Sequence, residues 1–377
     1  MNTHVFIVNE QTFKYHLEYM FAGTGAKDKL SPFLYNQNVI FNATTERNLV
    51  GMIADISRIQ IGDNIIFYLQ ASQGKQGQFF GVFKAKSRAF FDENDHNNFL
   101  KNELGKGLSY RITIEPSEYG VFSKGVTEHD YLDSLEGKSH PYELCWSLIY
   151  RKLKGNRGCT MITDPEFEDL LSKLKYINDD STLSGNDFTY DFSLGEISKS
   201  EFQYEYTGRQ GSISIKNRLI YKNKSNNAFE THLQAYILQN IRSLNLLDHP
   251  EDNFWIGNEV SCGVGMQRID LLIIQRKMNK VFIKVIELKD EQPTKNIVDF
   301  QLDWYLKWLF DYIIPNYKDN IAEITPCIIA AKTNSIDLIN YIQDKGFDNK
   351  YPYSSINNTE YFSFNIDENE IQFNKIL

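Results

Sequence analysis

The stretch Asp270 to Lys289 limits this chain's folds more than any other. It holds two aliphatic, β-branched runs, Asp270-Leu271-Leu272-Ile273-Ile274 and Val281-Phe282-Ile283-Lys284-Val285-Ile286-Glu287-Leu288-Lys289, around the polar segment Gln275 to Lys280. That pattern predicts a buried hairpin. Polar groups are costly in such runs unless partnered, yet Asp270 opens the first strand while Glu287 and Lys289 close the second. Both positions fall at one edge of the hairpin, and Glu287 and Lys289, two apart, share a face. Two carboxylates and an ammonium therefore converge, and a divalent cation would relieve the carboxylate repulsion.

The rest of the chain bounds the setting. A length of 377 residues allows two or three domains. A hydrophobic content of 42% with 14% aromatics describes a well-packed globular protein. No apolar run approaches the ~20 residues needed to span a bilayer, and Met1-Asn2-Thr3-His4 is not a basic region leading into an apolar core, so a leader is not expected. Cys145, Cys159, Cys262 and Cys327 are widely spaced and form no CxxC pair, which suits buried thiols in a reducing cytoplasm and no zinc site. A formal charge of −9 gives no support to DNA binding by itself. Basic residues nevertheless gather from Arg151 to Arg157 and from Arg209 to Lys224, a polarisation compatible with DNA.

Taken in order, strands are expected at Val5–Val8 and Asn38–Asn42, at Ile65–Leu69 after a Gly62-Asp63 turn, and at Phe79–Ala85 and Tyr110–Ile114. Helices are expected at Thr12–Met20, around Glu46–Ile53, at Pro141–Leu153, and at Asp164–Leu174 with Thr163 or Asp164 as its cap. The polar stretch 179–195 reads as a linker between a domain at 1–178 and a second at 196–377. The alternation of Phe202, Tyr204 and Tyr206, followed by Ile213, Ile215 and Leu219-Ile220, predicts strands belonging to the second domain. Its helices are expected from Asn226 and over Asn296–Ile313. On the latter Gln301 and Tyr305 share a face, beside a packing stripe of Trp304, Trp308 and Leu309. Ile328–Ala331 is a further buried strand.

An acidic residue, a spacer, Glu-X-Lys at a strand end and a following helix with Gln-X-X-X-Tyr resemble the PD-(D/E)XK nucleases. The likeness is to the branch that includes NucS-like and archaeal DUF91-type enzymes. It rests on Arg268-Ile269-Asp270-Leu271-Leu272, on Val285-Ile286-Glu287-Leu288-Lys289, and on Gln301 and Tyr305, and covers roughly 226–331. It implies a restriction-endonuclease-like mixed sheet flanked by helices, Mg²⁺ (or Mn²⁺) as cofactor, and an acidic residue, Glu230, facing the site from the helix before the core. Glu259 is the second choice for that extra acid. His232 reads as a satisfied histidine and not as a base.

The first domain is similar, more diffusely, to EVE and PUA-like β-barrels with helices. The likeness lies in Ile61-Gly62-Asp63-Asn64-Ile65-Ile66-Phe67-Tyr68, in Phe80-Gly81-Val82-Phe83, and in the basic, glycine-containing turn and helix within Leu148–Leu174. It implies recognition of a modified or flipped base between aromatic walls. Tyr68, Phe79, Phe80 and Trp146 are the aromatics available, although an aromatic in such a strand is more often core. Arg151, Lys152, Lys154 and Arg157 are candidate phosphate contacts, as are Arg268 and Tyr305 in the second domain.

The fold class expected is thus α/β with α+β character: a PUA/EVE-like barrel followed by a nuclease core. Phosphodiester hydrolysis requires an attacking water, charge neutralisation and a stabilised leaving oxygen, which Mg²⁺ and a lysine can supply together. In that scheme Asp270 and Glu287 are metal ligands, the Leu288 carbonyl oxygen is a third, and Glu230 is an outer or second-metal ligand. Lys289 positions or helps deprotonate the water, and Gln301 orients the lysine or the phosphate. The reading is a Mg²⁺-dependent endonuclease on double-stranded DNA, a restriction enzyme cutting as a homodimer. The alternatives are a structure-specific repair nuclease and a reader without catalysis. A plain structural ion pair between Asp270 and Lys289 would leave Glu287 without a purpose.

Overall fold

The computed structural model describes residues 2–25, 43–72, 74–92, 99–144, 149, 153, 158–225, 228–262, 267–317 and 320–377. The chain divides into two compact units, Met1–Ile213 and Ser214–Leu377.

The first unit is built on β1 (Thr3–Val8), β2 (Phe21–Thr24), β3 (Asn64–Leu69), β4 (Gln78–Ala85), β5 (Phe90–Phe91), β6 (Tyr110–Pro116), β7 (Val126–Thr127) and β8 (Cys159–Ile162). They form one sheet in the order β2-β6-β4-β3-β1-β8, with β5 beside β6 and β7 beside β4. β1 and β3 run parallel and the other ladders are antiparallel. Every residue of β3 is buried, as expected of a strand covered on both faces. Among the described residues the ladder stays open between β2 and β8, so the expected barrel is an open sheet there. Its ends still approach: a Cβ on Gly158 would run into the Thr24 side chain, a contact that needs a glycine at this position. Its three longest helices among the described residues are α1 (Glu10–Glu18), α2 (Ala43–Ser57) and α3 (Asp164–Ile177). Asn9 caps α1 through a capping box with Thr12, and Thr163 caps α3 with Glu166. The strand expected at 38–42 and most of the helix expected at 141–153 lie outside the described residues; 141–143 form a 3₁₀ turn.

The domain boundary falls later than the sequence suggests. β9 (Phe188–Asp191), inside the expected linker, pairs with β10 (Glu196–Lys199), just past it, and this hairpin closes the first core. Tyr190 lies 5.2 Å from Phe13 and 6.0 Å from Phe80 between ring centres, and Phe188 lies 6.1 Å from Phe83. Ser123 Oγ donates to the Ile197 carbonyl at 2.8 Å. Residues 200–211 then follow the same unit as irregular backbone instead of the expected strands. Tyr206 packs tilted or edge-on against Phe21, Phe90 and Phe99, and Gly211 exchanges both backbone hydrogen bonds with Phe91 at 2.7 and 2.8 Å. Alternating apolar side chains decide the structure here, and the surrounding Asp, Ser, Asn and Gly hide them.

The second unit opens with α4 (Lys216–Lys224), so Leu219 and Ile220 are helical and not extended, and continues with α5 (Glu230–Asn240). Three antiparallel strands follow, β11 (Phe254–Ser261), β12 (Arg268–Lys277) and β13 (Lys280–Leu288). A π-helical turn over Ile297–Leu302 leads into α6 (Asp303–Tyr312), and β14 (Ile321–Ala331) returns parallel to β13. α7 (Ile336–Asp344), β15 (Ser354–Ile356), β16 (Glu360–Ile366) and β17 (Ile371–Lys375) complete a seven-stranded mixed sheet, β11-β12-β13-β14-β16-β17 with β15 beside β14. Val281, Ile283, Val285, Ile286 and Leu288 of β13 are all fully buried. At roughly 1.5–3 kcal/mol per buried side chain, this strand alone fixes the register of its neighbours.

Candidate active site

The β12–β13 hairpin is paired from Lys277 with Lys280 to Leu271 with Ile286. One step further the same register sets Asp270 opposite Glu287, where the ladder ends. Opposed positions share a face, so the two carboxylates named from the sequence meet at the sheet edge. Glu287 is 1% exposed, and a carboxylate so deep requires donors. It has three. Lys289 Nζ lies 2.6 Å from Oε1, and Gln301 Nε2 donates to the same oxygen at 2.6 Å. The Tyr305 hydroxyl, with one proton to give, lies 2.8 Å from Oε2 and 2.8 Å from the Arg268 carbonyl oxygen. Gln301 and Tyr305 come from consecutive turns where the π-helical segment passes into α6, which is how a helix reads one buried carboxylate twice.

Asp270 is held differently. Its Oδ2 accepts the Leu288 N–H at 2.7 Å, and its own carbonyl oxygen accepts Gln234 Nε2 from α5 at 3.0 Å. Burial, then the charges of Glu287 and Glu230, push its carboxyl well above the ordinary carboxylate range. Glu230, at the start of α5, is also raised, by burial first, with Glu287 and Asp290 adding to the shift. Burial alone would lower the Lys289 ammonium, but Glu287, Glu230 and Asp270 together outweigh it and hold the pKa above the usual lysine value. Lys289 also reaches the Leu288 carbonyl at 2.8 Å and Glu230 Oε2 at 3.6 Å. The sequence-predicted residues Asp270, Glu287, Leu288, Lys289, Glu230 and Gln301 therefore meet in one place.

Among the described residues no group of three or more His, Cys, Asp or Glu side chains is gathered as a metal site. Lys289 brings a positive charge to this acidic edge and touches three of the oxygens expected to serve a cation. Two carboxylates and one carbonyl oxygen are a donor set that suits a hard cation retaining water ligands. Asp270 Oδ1 receives no hydrogen bond from the described residues, and Glu287 Oε2 receives one. Asp270, Glu287 and the Leu288 carbonyl are the groups that could hold such a cation, with Glu230 further out.

Three other expectations change. Tyr305 is 4% exposed and its hydroxyl is engaged inside, so it orients Glu287 and is not a strand contact. Trp304, expected to pack beside Trp308, is 41% exposed with its indole N–H on the Cys262 carbonyl at 2.7 Å. In the first unit Tyr68, Phe79 and Phe80 are buried core and not the walls of a pocket. Neighbouring strand residues face opposite ways: Phe79 packs on Tyr68 and Tyr131, Phe80 on Phe13 and Tyr190. Both faces of β4 are covered. Trp146, Arg151, Lys152, Lys154 and Arg157 lie outside the described residues.

The sequence made Arg268 a candidate phosphate contact and gave Glu259 only a secondary place. Arg268 Nη1 pairs with Glu259 Oε2 at 3.1 Å, both side chains about one-third exposed. Asp290 was also missed: its carboxylate accepts the Phe229 N–H at 2.8 Å at the start of α5. An acid next to Lys289 in sequence was the available signal.

No family model matches this chain, and no curated protein matches it. Solved structures do. A hypothetical protein from Leishmania major is 10% identical with a TM-score of 0.28, covering 47% of this chain and 96% of its own. Human THYN1, solved with DNA containing 5-methylcytosine, is 11% identical with a TM-score of 0.27, covering 46% and 98%. The DUF55 domain of human thymocyte nuclear protein 1 is 11% identical with a TM-score of 0.26, again covering 46% and 98%. At TM-scores this low none of the three bears on the chemistry of the acidic edge. No helix among the described residues is long and apolar enough to cross a membrane.

Proposed function

We propose that the second unit is a Mg²⁺-dependent nuclease that hydrolyses phosphodiester bonds in DNA. One observation carries the reading: a buried Glu287 carboxylate is gripped by Lys289, Gln301 and Tyr305 beside Asp270, whose pKa is raised. A structural ion pair would need one acid per lysine, and here two acids and an outer third surround one. The order helix, three-stranded meander, helix, parallel strand supports the PD-(D/E)XK resemblance seen in the sequence.

Asp270, Glu287 and the Leu288 carbonyl would hold the cation. When bound, Mg²⁺ supplies charge neutralisation at the phosphate and makes an attacking water more acidic. Lys289 sits on Glu287 Oε1 and Leu288 O, from where its ammonium can orient the water and stabilise charge building on the phosphoryl oxygens. Gln301 fixes the Glu287 oxygen that Lys289 uses, and Tyr305 fixes the other. In the hydrolysis, the water oxygen forms a bond to phosphorus, the bond to the leaving oxygen breaks, and that oxygen gains a proton as the water loses one.

Target recognition falls to the first unit in this proposal, on its sequence resemblance to EVE and PUA-like modules. A restriction enzyme acting on both strands from one site per chain would work as two copies. Digestion of modified and unmodified genomic DNA with Mg²⁺, followed by sequencing of the ends, tests the reading. Discrete ends that vanish in Asp270→Ala are expected. Binding without cleavage by the unsubstituted chain would leave a reader and end the nuclease reading.

A further inference from the structure

The β11–β12 ladder keeps one register across a gap. Asn258 pairs with Leu271 and Val260 with Ile269, while Glu259 and Asp270, directly opposite one another, do not pair. With Glu287 across from Asp270 on the other side, the register lines up three acids on three adjacent strands. Glu259 leaves that row through its backbone. Its φ of 51° is left-handed, a conformation that is strained for a non-glycine residue and persists only where surroundings enforce it. Two side chains hold the turned-out carboxylate: Arg268 Nη1 at 3.1 Å from Oε2, and Gln234 Nε2 at 3.4 Å from Oε1. The same Gln234 amide serves the Asp270 carbonyl left without a strand partner, at 3.0 Å.

Arg268 is fixed just as firmly at its base. It stands two residues before Asp270, hence on the same face of β12, and its carbonyl oxygen lies 2.8 Å from the hydroxyl that holds Glu287. Its guanidinium is therefore a cation beside the acidic edge, with 31% of the side chain exposed. Among the described residues Glu259 is the one carboxylate in contact with it, and through a single N–H. Guanidinium forks bind carboxylate and phosphate by the same geometry.

Resting on the nuclease reading, we infer that Glu259 holds Arg268 in the place a substrate phosphate takes. Arg268 is then the residue that positions the DNA backbone at the site. Glu259 is the internal competitor that keeps the arginine aimed when no strand is bound and must give it up when one arrives.

The test is DNA binding by the full chain in EDTA, read by anisotropy on a linear duplex across a salt series, so that it does not depend on cleavage. Glu259→Gln keeps the size and removes the charge, and is expected to tighten binding three- to tenfold. Arg268→Ala is expected to weaken it by at least fivefold and to lower the slope of log K against log salt by about one. In the double variant the gain from Glu259→Gln disappears, which separates release of Arg268 from a general loss of negative charge. Glu259→Gly, free of backbone strain at this φ, serves if the glutamine variant folds poorly, with the same expectation. Unchanged or weaker binding in both Glu259 variants overturns the inference, and so does a gain that survives Arg268→Ala. Loss of cleavage with unchanged affinity would place Glu259 with the other acids and also overturns it. If the unsubstituted chain binds and cuts DNA while these effects are missing, only this inference falls; if it binds no DNA, the nuclease reading falls with it.

Discussion

Replacing Asp270 with asparagine should make the second unit more stable and the protein inactive. The substitution preserves an oxygen to accept the Leu288 N–H, which reaches Oδ2 at 2.7 Å, and removes the charge. At an effective dielectric constant of about 20, two unit charges 4 Å apart interact by about 4 kcal/mol, falling inversely with distance. Asp270 faces two acids, Glu287 and Glu230, with Lys289 opposing them. A net relief of about 1–3 kcal/mol results where Asp270 is ionised, or a rise in melting temperature of roughly 2–12 °C for a unit of this size. The pH dependence has a definite sign. A carboxyl whose pKa is raised on folding binds more protons in the native state than in the unfolded one. Stability therefore falls as pH rises from the ordinary carboxylate range through the raised native value. The gap between the Asp270→Asn variant and its parent should be widest above that value and close on acidification. Millimolar Mg²⁺ should stabilise the unsubstituted protein by preferential binding to the folded state and leave the variant unmoved. Scanning calorimetry of both proteins, with and without Mg²⁺ at several pH values, checks all three. A variant less stable than the parent at pH 8, or a parent indifferent to Mg²⁺, would refute the picture of a repulsive acidic edge awaiting a cation.

Lys289→Met leaves Glu287 with one fewer partner and the water without its positioning group. Single-turnover cleavage should fall by at least about 10²-fold, within the range for a lost proton-transfer or charge-stabilising group. Lys284, on the opposite face of β13, is buried between Asp248 at 3.1 Å and Glu360 at 2.9 Å; Lys284→Met takes the buried cation from Asp248 and leaves Glu360 with Lys375 alone, and should cost about 1–3 kcal/mol in urea unfolding. Burial lowers the Lys284 pKa but its surroundings hold it above the usual value, so this stability is complete below about pH 10 and lost as pH climbs through the native pKa. Phe79→Ala should cost about 3–5 kcal/mol and melt the first unit, measured by thermal unfolding, instead of selectively weakening base recognition.

The second unit was legible where period and register do the work. Apolar runs on either side of a polar turn give the hairpin, and the period of two then aligns Asp270 with Glu287 and sends Lys289 to the same face. Spacing by four gave Gln301 and Tyr305 a common face. What spacing could not give was depth: Tyr305 looks like a surface tyrosine near a site, yet its hydroxyl lies between two acceptors in the interior. In the first unit the parallel pairing of β1 with β3 has no local signature, since a crossover leaves no turn to read. The β9–β10 hairpin was hidden because Phe188, Tyr190 and Ile197 are few among polar neighbours, and burial depends on which three residues are apolar, not on the average. The Glu259–Arg268 contact was illegible for a further reason: a left-handed residue inside a strand needs no special residue type when tertiary contacts force it.

Glu287 shows why the fold and the site cannot be separated here. A carboxylate at 1% exposure is tolerable only with its donors in place, and two of its three donors belong to the helix that follows the hairpin. Docking that helix and satisfying the acid are one event. The third donor, Lys289, is the residue just after the strand and is the one free to change partners, since its ammonium also reaches Leu288 O and Glu230. Helix donors hold the acid's geometry while the lysine carries its charge balance. A cation or phosphate arriving at this edge can therefore redirect Lys289 without undocking the helix that keeps Glu287 in position.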